Sequence, residues 1–144
     1  MSLFIQQEEI FAKVELVSPV AKVYEGQLFD GESWTVDIGD GAVPIIGVEF
    51  GGTTDVPNSQ KGICGAAEWP EEAIFSVITI GTTKKDCRAL MQNVRDDLIG
   101  FQPTNAGEVI PALYASMGAI NDLGSPTRFA DIQTFTFTSN KNKS

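Results

Sequence analysis

The sequence predicts an α+β fold: a single domain in which a mixed or mainly antiparallel β-sheet is packed by two main helices, at about residues 2–17 and 83–99. Three observations lead there. The run Ala73 to Ile80 places apolar residues on both of its faces, as in a strand covered on two sides. Directly after it, residues 83–99 carry apolar side chains at helical spacing. Further on, Phe135 and Phe137 alternate with Thr134, Thr136 and Thr138, the period of a half-buried strand.

Taken in order, residues 2–17 make the first helix. Leu3, Ile10, Phe11, Val14 and Val17 share one face, Ser2 stands at the cap position, and Pro19 closes the segment. Two Asp-Gly pairs follow, Asp30-Gly31 and Asp40-Gly41, each between β-prone runs, and such a pair is a strong hairpin signal. They predict a three-stranded meander over residues 20–50, with Pro44 at the start or edge of its strand. Residues 51–70 read as one long irregular loop, anchored at its end by Trp69. Loops of that length in small domains are commonly functional.

The strand at 73–80 stops at Gly81-Thr82-Thr83, where either threonine can cap the helix that follows. On that helix Cys87, Leu90, Met91, Val94 and Leu98 fall within one arc of about 100°, the width of a core-facing stripe. Gly100 suits the left-handed position after the helix, and Pro103 prevents its resumption. After a loop at 102–108, Val109 to Ile120 reads as a strand interrupted near Pro111. Asn121 to Pro126 is turn-like, about 127–138 is the last strand, and 139–144 is a mobile polar tail. With no repeat and no boundary in view, residues 1–144 form one domain.

The charges on the second helix are sorted. Lys84, Arg88 and Arg95 line one flank of the apolar stripe, with Gln92 among them; Asp86, Asn93 and Asp97 line the other. No opposite pair sits at i,i+3 or i,i+4, so the helix does not neutralise itself. Two readings stay open. The flanks pair across a subunit boundary, or Arg88 and Arg95 meet acids of their own chain such as Glu49, Glu71 or Glu72.

Composition narrows the function. A net charge of −9 over 144 residues argues against gripping nucleic acid by its phosphates. It suits a passage along which nucleic acid slides without sticking, and Asp37, Asp40 and Glu49 are candidates for such a lumen. The absence of histidine removes Ser-His-Asp and Cys-His nucleophiles and every His-ligated metal site. Cys87 reads as a small core residue, and no disulfide to Cys64 is expected, which points to a reducing compartment. The first residues have no basic stretch before an apolar run, so neither a signal peptide nor a membrane span is expected.

Chemical motifs are weak. Asp37-Ile38-Gly39-Asp40-Gly41 lacks the spacing and distal Glu of a calcium loop and is better explained as a turn. Gly47, Gly51 and Gly52 have no Gly-Lys-Ser/Thr ending, so they form no phosphate-binding loop. Glu68, Glu71 and Glu72 cluster at a strand start with no sign of an apolar pocket to raise a carboxyl pKa. No nucleophile has an activating base, and no enzymatic activity is expected.

The order helix, strands, long loop, then Ile78-Thr79-Ile80-Gly81 leading into Cys87 to Pro103, resembles the tail terminator family of tailed phages, in particular its Mu-like contractile-tail branch. The phrase Val94-Arg95-Asp96-Asp97-Leu98-Ile99-Gly100-Phe101-Gln102-Pro103 is similar to one that family places at the end of its main helix. A closing β segment with Phe129, Phe135 and Phe137 also fits, whereas residues 25–42 are longer than the family usually carries. The resemblance covers roughly residues 43–138. It implies a hexameric ring on the head-proximal end of the tail tube that stops tube polymerisation. Such a ring touches the last sheath ring, offers a docking surface to the neck and leaves a channel for DNA. It implies no enzymatic activity, no cofactor and no membrane, and a virion location after synthesis in the host cytoplasm. Lys84, Arg88, Arg95, Asp86 and Asp97 then become subunit-interface candidates. The competing expectations are another ring-forming neck or head-completion protein, or a non-viral α+β domain that binds a small ligand.

Overall fold

A computed structural model of the chain describes residues 2–19, 21–25, 44–55, 71–120 and 128–139. The elements run α1 (Ser2–Glu15), β1 (Lys22–Glu25), β2 (Ile45–Asp55), β3 (Glu71–Gly81), α2 (Lys84–Leu98), β4 (Ile110–Ile120) and β5 (Arg128–Ser139). They build one 5-stranded sheet in the order β1-β2-β3-β5-β4. The pairs β2–β3, β3–β5 and β5–β4 are antiparallel, and β1–β2 is parallel. The fold is therefore α+β with a mostly antiparallel sheet and two helices, as the sequence predicts. Because β5 lies between β3 and β4, the β3–α2–β4 segment is a crossover whose two parallel strands are split by a third.

Local signals explain α2. Thr83 is extended at the cap, and its Oγ1 accepts the Asp86 N–H at 3.0 Å. Cys87, Leu90, Met91, Val94 and Leu98 are its buried residues, the predicted stripe without addition or loss. Gly100 has φ 90, a conformation that side chains with a Cβ resist, so it ends the helix. Its N–H donates to the Val109 carbonyl at 3.0 Å, and the Val109 N–H donates to the Phe101 carbonyl at 2.8 Å, tying the exit from α2 to the entry of β4. Gly81 permits the tight entry: a Cβ there would lie 3.2 Å from the Cys87 nitrogen.

Both helices cover one face of the sheet. Ile10 and Val14 of α1 join the α2 stripe over Ile46, Val48, Phe75, Val77, Phe135 and Phe137. Phe75 stacks on Phe135 with ring centroids 5.2 Å apart. Ile78 and Ile80 point to the other face, buried with Ile45 and Ala130. That explains why β3 is apolar on both sides. Burying the larger of these side chains stabilises by about 1.5–3 kcal/mol each before chain entropy is counted.

Three expectations are corrected. The meander over 20–50 is not formed as predicted: β1 pairs directly and in parallel with β2, so no strand lies between them, although the stretch that would supply it lies outside the described residues. The Asp-Gly signals, also outside them, are local and cannot report which strands become neighbours. Residues 51–55, assigned to the loop, continue β2, because a register shift between Phe50 and Thr53 absorbs the two glycines as a bulge. The first helix ends at Glu15, short of the predicted 17. The remainder of the 51–70 loop, with Trp69 and Cys64, and the tail beyond Ser139 lie outside the described residues. The interruption near Pro111 is present as a register shift between Pro111 and Leu113.

Leu90 tests this packing. It is buried in the core beneath the helices, so Leu90→Ala should lower the unfolding free energy by about 2–5 kcal/mol in chemical denaturation. A loss below about 0.5 kcal/mol, as for a surface site, would mean the helix is seated differently.

Candidate subunit-contact surface

The seating of α2 turns its basic flank toward β4 and β5. Arg95 Nη1 donates to Gln133 Oε1 at 2.7 Å, and its guanidinium carbon lies 5.9 Å from the centre of the Tyr114 ring. Gln133 is buried, and its Nε2 donates to the Leu113 carbonyl at 3.1 Å. The Tyr114 hydroxyl donates to Asp131 Oδ2 at 2.5 Å, and Asp131 is buried as well. Above this network Arg88, Met91, Gln92, Arg95 and Tyr114 line a cleft of ≈ 260 Å³. Arg88 and Lys84 are exposed and make no ion pair among the described residues. Of the two open readings, Arg95 follows neither fully: its partners are in its own chain, but they are Gln133 and Tyr114. Glu49 and Glu72 are out of reach, because their register puts them on the sheet face opposite the helices.

The acidic flank turns toward α1. Lys13 Nζ lies 3.6 Å from Asp97 Oδ1 and 5.4 Å from the centre of the Phe101 ring. Asp97 therefore has a partner within its own chain, while its buried Oδ2 has no hydrogen bond among the described residues. Asp86 is exposed in the first turn of α2, where it lines a second cleft with Pro44, Thr82 and Asn93. A carboxylate there is favourable at the helix N-terminus. Of the lumen candidates, Asp37 and Asp40 lie outside the described residues. Glu49 is half-buried on the helix-free face, beside the hydroxyls of Ser76 and Thr134, which lie 3.2 Å apart.

Sequence reasoning missed three buried polar side chains. Gln6 is fully buried in α1; its Nε2 donates to the carbonyls of Thr104 (2.7 Å) and Asn105 (3.0 Å), and its Oε1 accepts from Ser139 Oγ at 2.6 Å. Its position on the same face as Ile10 and Val17 was the available signal. Asp131 and Gln133 share the inward phase of Phe135 and Phe137, which marks them as buried hydrogen bonders. Among the described residues no group of three or more acids or cysteines could hold a metal ion, and no helix is long and apolar enough to cross a membrane.

No known family model matches the chain, and no curated protein matches it in sequence. A solved structure does match. A chain in the virion of a native gene transfer agent particle superposes with a TM-score of 0.52 at 14% identity, covering 95% of this chain and 91% of that chain. The likeness is one of fold, over most of both chains.

The Tyr114–Asp131 contact predicts a pH response. The hydrogen bond to Asp131, then burial, then the Asp131 charge push the Tyr114 hydroxyl from its usual 10.0 up to about 12. A pKa raised by folding stabilises the protein fully below the unfolded value and loses that contribution as pH rises through the folded one. Stability should therefore fall between pH 10 and about 12, and Tyr114→Phe should remove that part of the fall. In ultraviolet titration one of the two tyrosines should ionise near 12, and the step should vanish in Tyr114→Phe.

Proposed function

We propose that this chain is a structural protein of a phage-like virion, and that its place there is the tail terminator: a hexameric ring capping the head-proximal end of the tail tube. The observation that carries the reading is the fold shared with a virion chain over nearly the full length of both. The helix-ending phrase supports the finer role. So does the asymmetry of the molecule, whose two sides present unlike surfaces, as a closed ring requires. At one end of the helix-free face Glu49 stands with the hydroxyls of Ser76, Thr134 and Thr136, while Ile45, Ile78, Ile80 and Ala130 on the same face are buried. The Glu49 end of that face, acidic and polar, suits a channel along which DNA moves without being held. Tube protein, sheath and neck are the partners this role entails, and it assigns the chain no catalysis and no cofactor.

Particles assembled without this chain should carry tubes of uncontrolled length, seen by electron microscopy. Tubes of normal length that fail to join heads would instead make it a neck component.

A further inference from the structure

The outward side of α1 is unusual. At 100° per residue, Phe4, Glu15, Glu8, Ala12 and Ile5 fall in that order within an arc of about 100°, and Leu16 follows in the turn just after the helix. All are exposed, and the opposite side of the helix holds the buried Gln6, Ile10 and Val14. A solvent-facing arc is normally polar, yet Phe4, Ile5 and Leu16 are 60%, 50% and 81% exposed. Glu8 and Glu15 form no ion pair among the described residues.

A second patch lies at the far side of the molecule. β4 is an edge of the sheet, 11 residues long, and its Ile110 and Leu113 are 54% and 67% exposed. Long edge strands with exposed apolar side chains are sites of association unless they are covered. Arg88 and Arg95 stand at the same edge, on the helix side of β4. α1 packs beside α2 and against β1, the opposite edge. One margin is thus apolar with carboxylates, and the other is apolar with guanidinium groups.

We infer that the outward arc of α1 on one copy of this chain docks along the β4 edge of the next copy, with Glu8 and Glu15 facing Arg88 and Arg95. This rests on the ring reading above and names the two faces of its subunit contact. A helix about 10 Å across, laid on a strand edge, reaches side chains leaving both sides of the strand. It can therefore touch Ile110 and Leu113 on one side and Arg88 on the other. The patches are unlike and lie at opposite margins, so the contact is head-to-tail and repeats from copy to copy, closing when the rotation allows. Arg95, held by Gln133, contributes a fixed positive field, and the freer Arg88 is the group that moves to a partner carboxylate.

The test uses the full chain and its native mass across a range of concentrations, at low and high salt. Arg88→Glu alone, and Glu8→Arg with Glu15→Arg, should each raise the concentration of half-assembly by about tenfold. The three substitutions together should bring it part of the way back, since the charge at position 88 then meets its opposite again while Arg95 keeps its own. Circular dichroism should show all variants folded, because the altered residues are exposed. Leu113→Asp should block assembly at any salt. If the wild-type chain assembles and these variants assemble equally well, or the triple variant is no better than its parents, this docking is wrong while the ring stands. A wild-type chain that stays monomeric at every concentration overturns the ring reading and this inference together.

Discussion

The seating of α2 on β3 decides where every charge on the helix points. Five apolar side chains fix its rotation, and a reciprocal pair of hydrogen bonds locks it: the Thr79 hydroxyl donates to the Cys87 carbonyl at 3.2 Å, and the Cys87 thiol donates to the Thr79 carbonyl at 3.1 Å. A slip of one residue would turn the helix by about 100° and drive Arg88 or Arg95 into the core, at a cost no packing could offset. Burial raises the Cys87 thiol above its usual pKa, so the group stays neutral and inert where it is needed as a spacer. With rotation fixed, the basic flank must face β4 and the acidic flank must face α1.

What the sequence revealed follows the range of the forces involved. The α2 stripe, its Thr83 cap, its Gly100 stop and the alternation of β5 are set by neighbours a few residues away, and each was legible. The parallel pairing of β1 with β2 was not, since it depends on contacts between distant segments. Two glycines in a row at 51–52 look like a break, yet a strand paired along its length can carry them as a bulge. At the candidate surface the sorted charges of α2 could be seen, but their directions could not. Those depend on which sheet edge lies beside each flank. Tyr114 gave no signal of its own, because its role comes only from standing opposite Gln133 in the register.

The sheet is asymmetric in a second way. Its helix side is closed by aromatic rings, from Phe50 and Phe75 to Phe135 and Phe137. At the β4 margin that side turns polar, with Asp131 and Gln133 replacing rings in the same inward row. These groups are satisfied by Tyr114 and Arg95, so the edge is held by directed bonds where apolar packing runs out. An edge built that way keeps one geometry, which a surface meant for repeated use requires.

The Gln6 amide has a consequence for the order of events in the cell. Its three hydrogen bonds join α1 to residues 104, 105 and 139, so the helix is clamped by segments about a hundred residues further along the chain. α1 can pack on β1 and α2 earlier, but the Gln6 amide lacks these partners until the segment up to Ser139 is in place. A contact between segments so far apart in sequence must first meet the entropy of closing the chain between them, so the final seating of α1 falls late in folding.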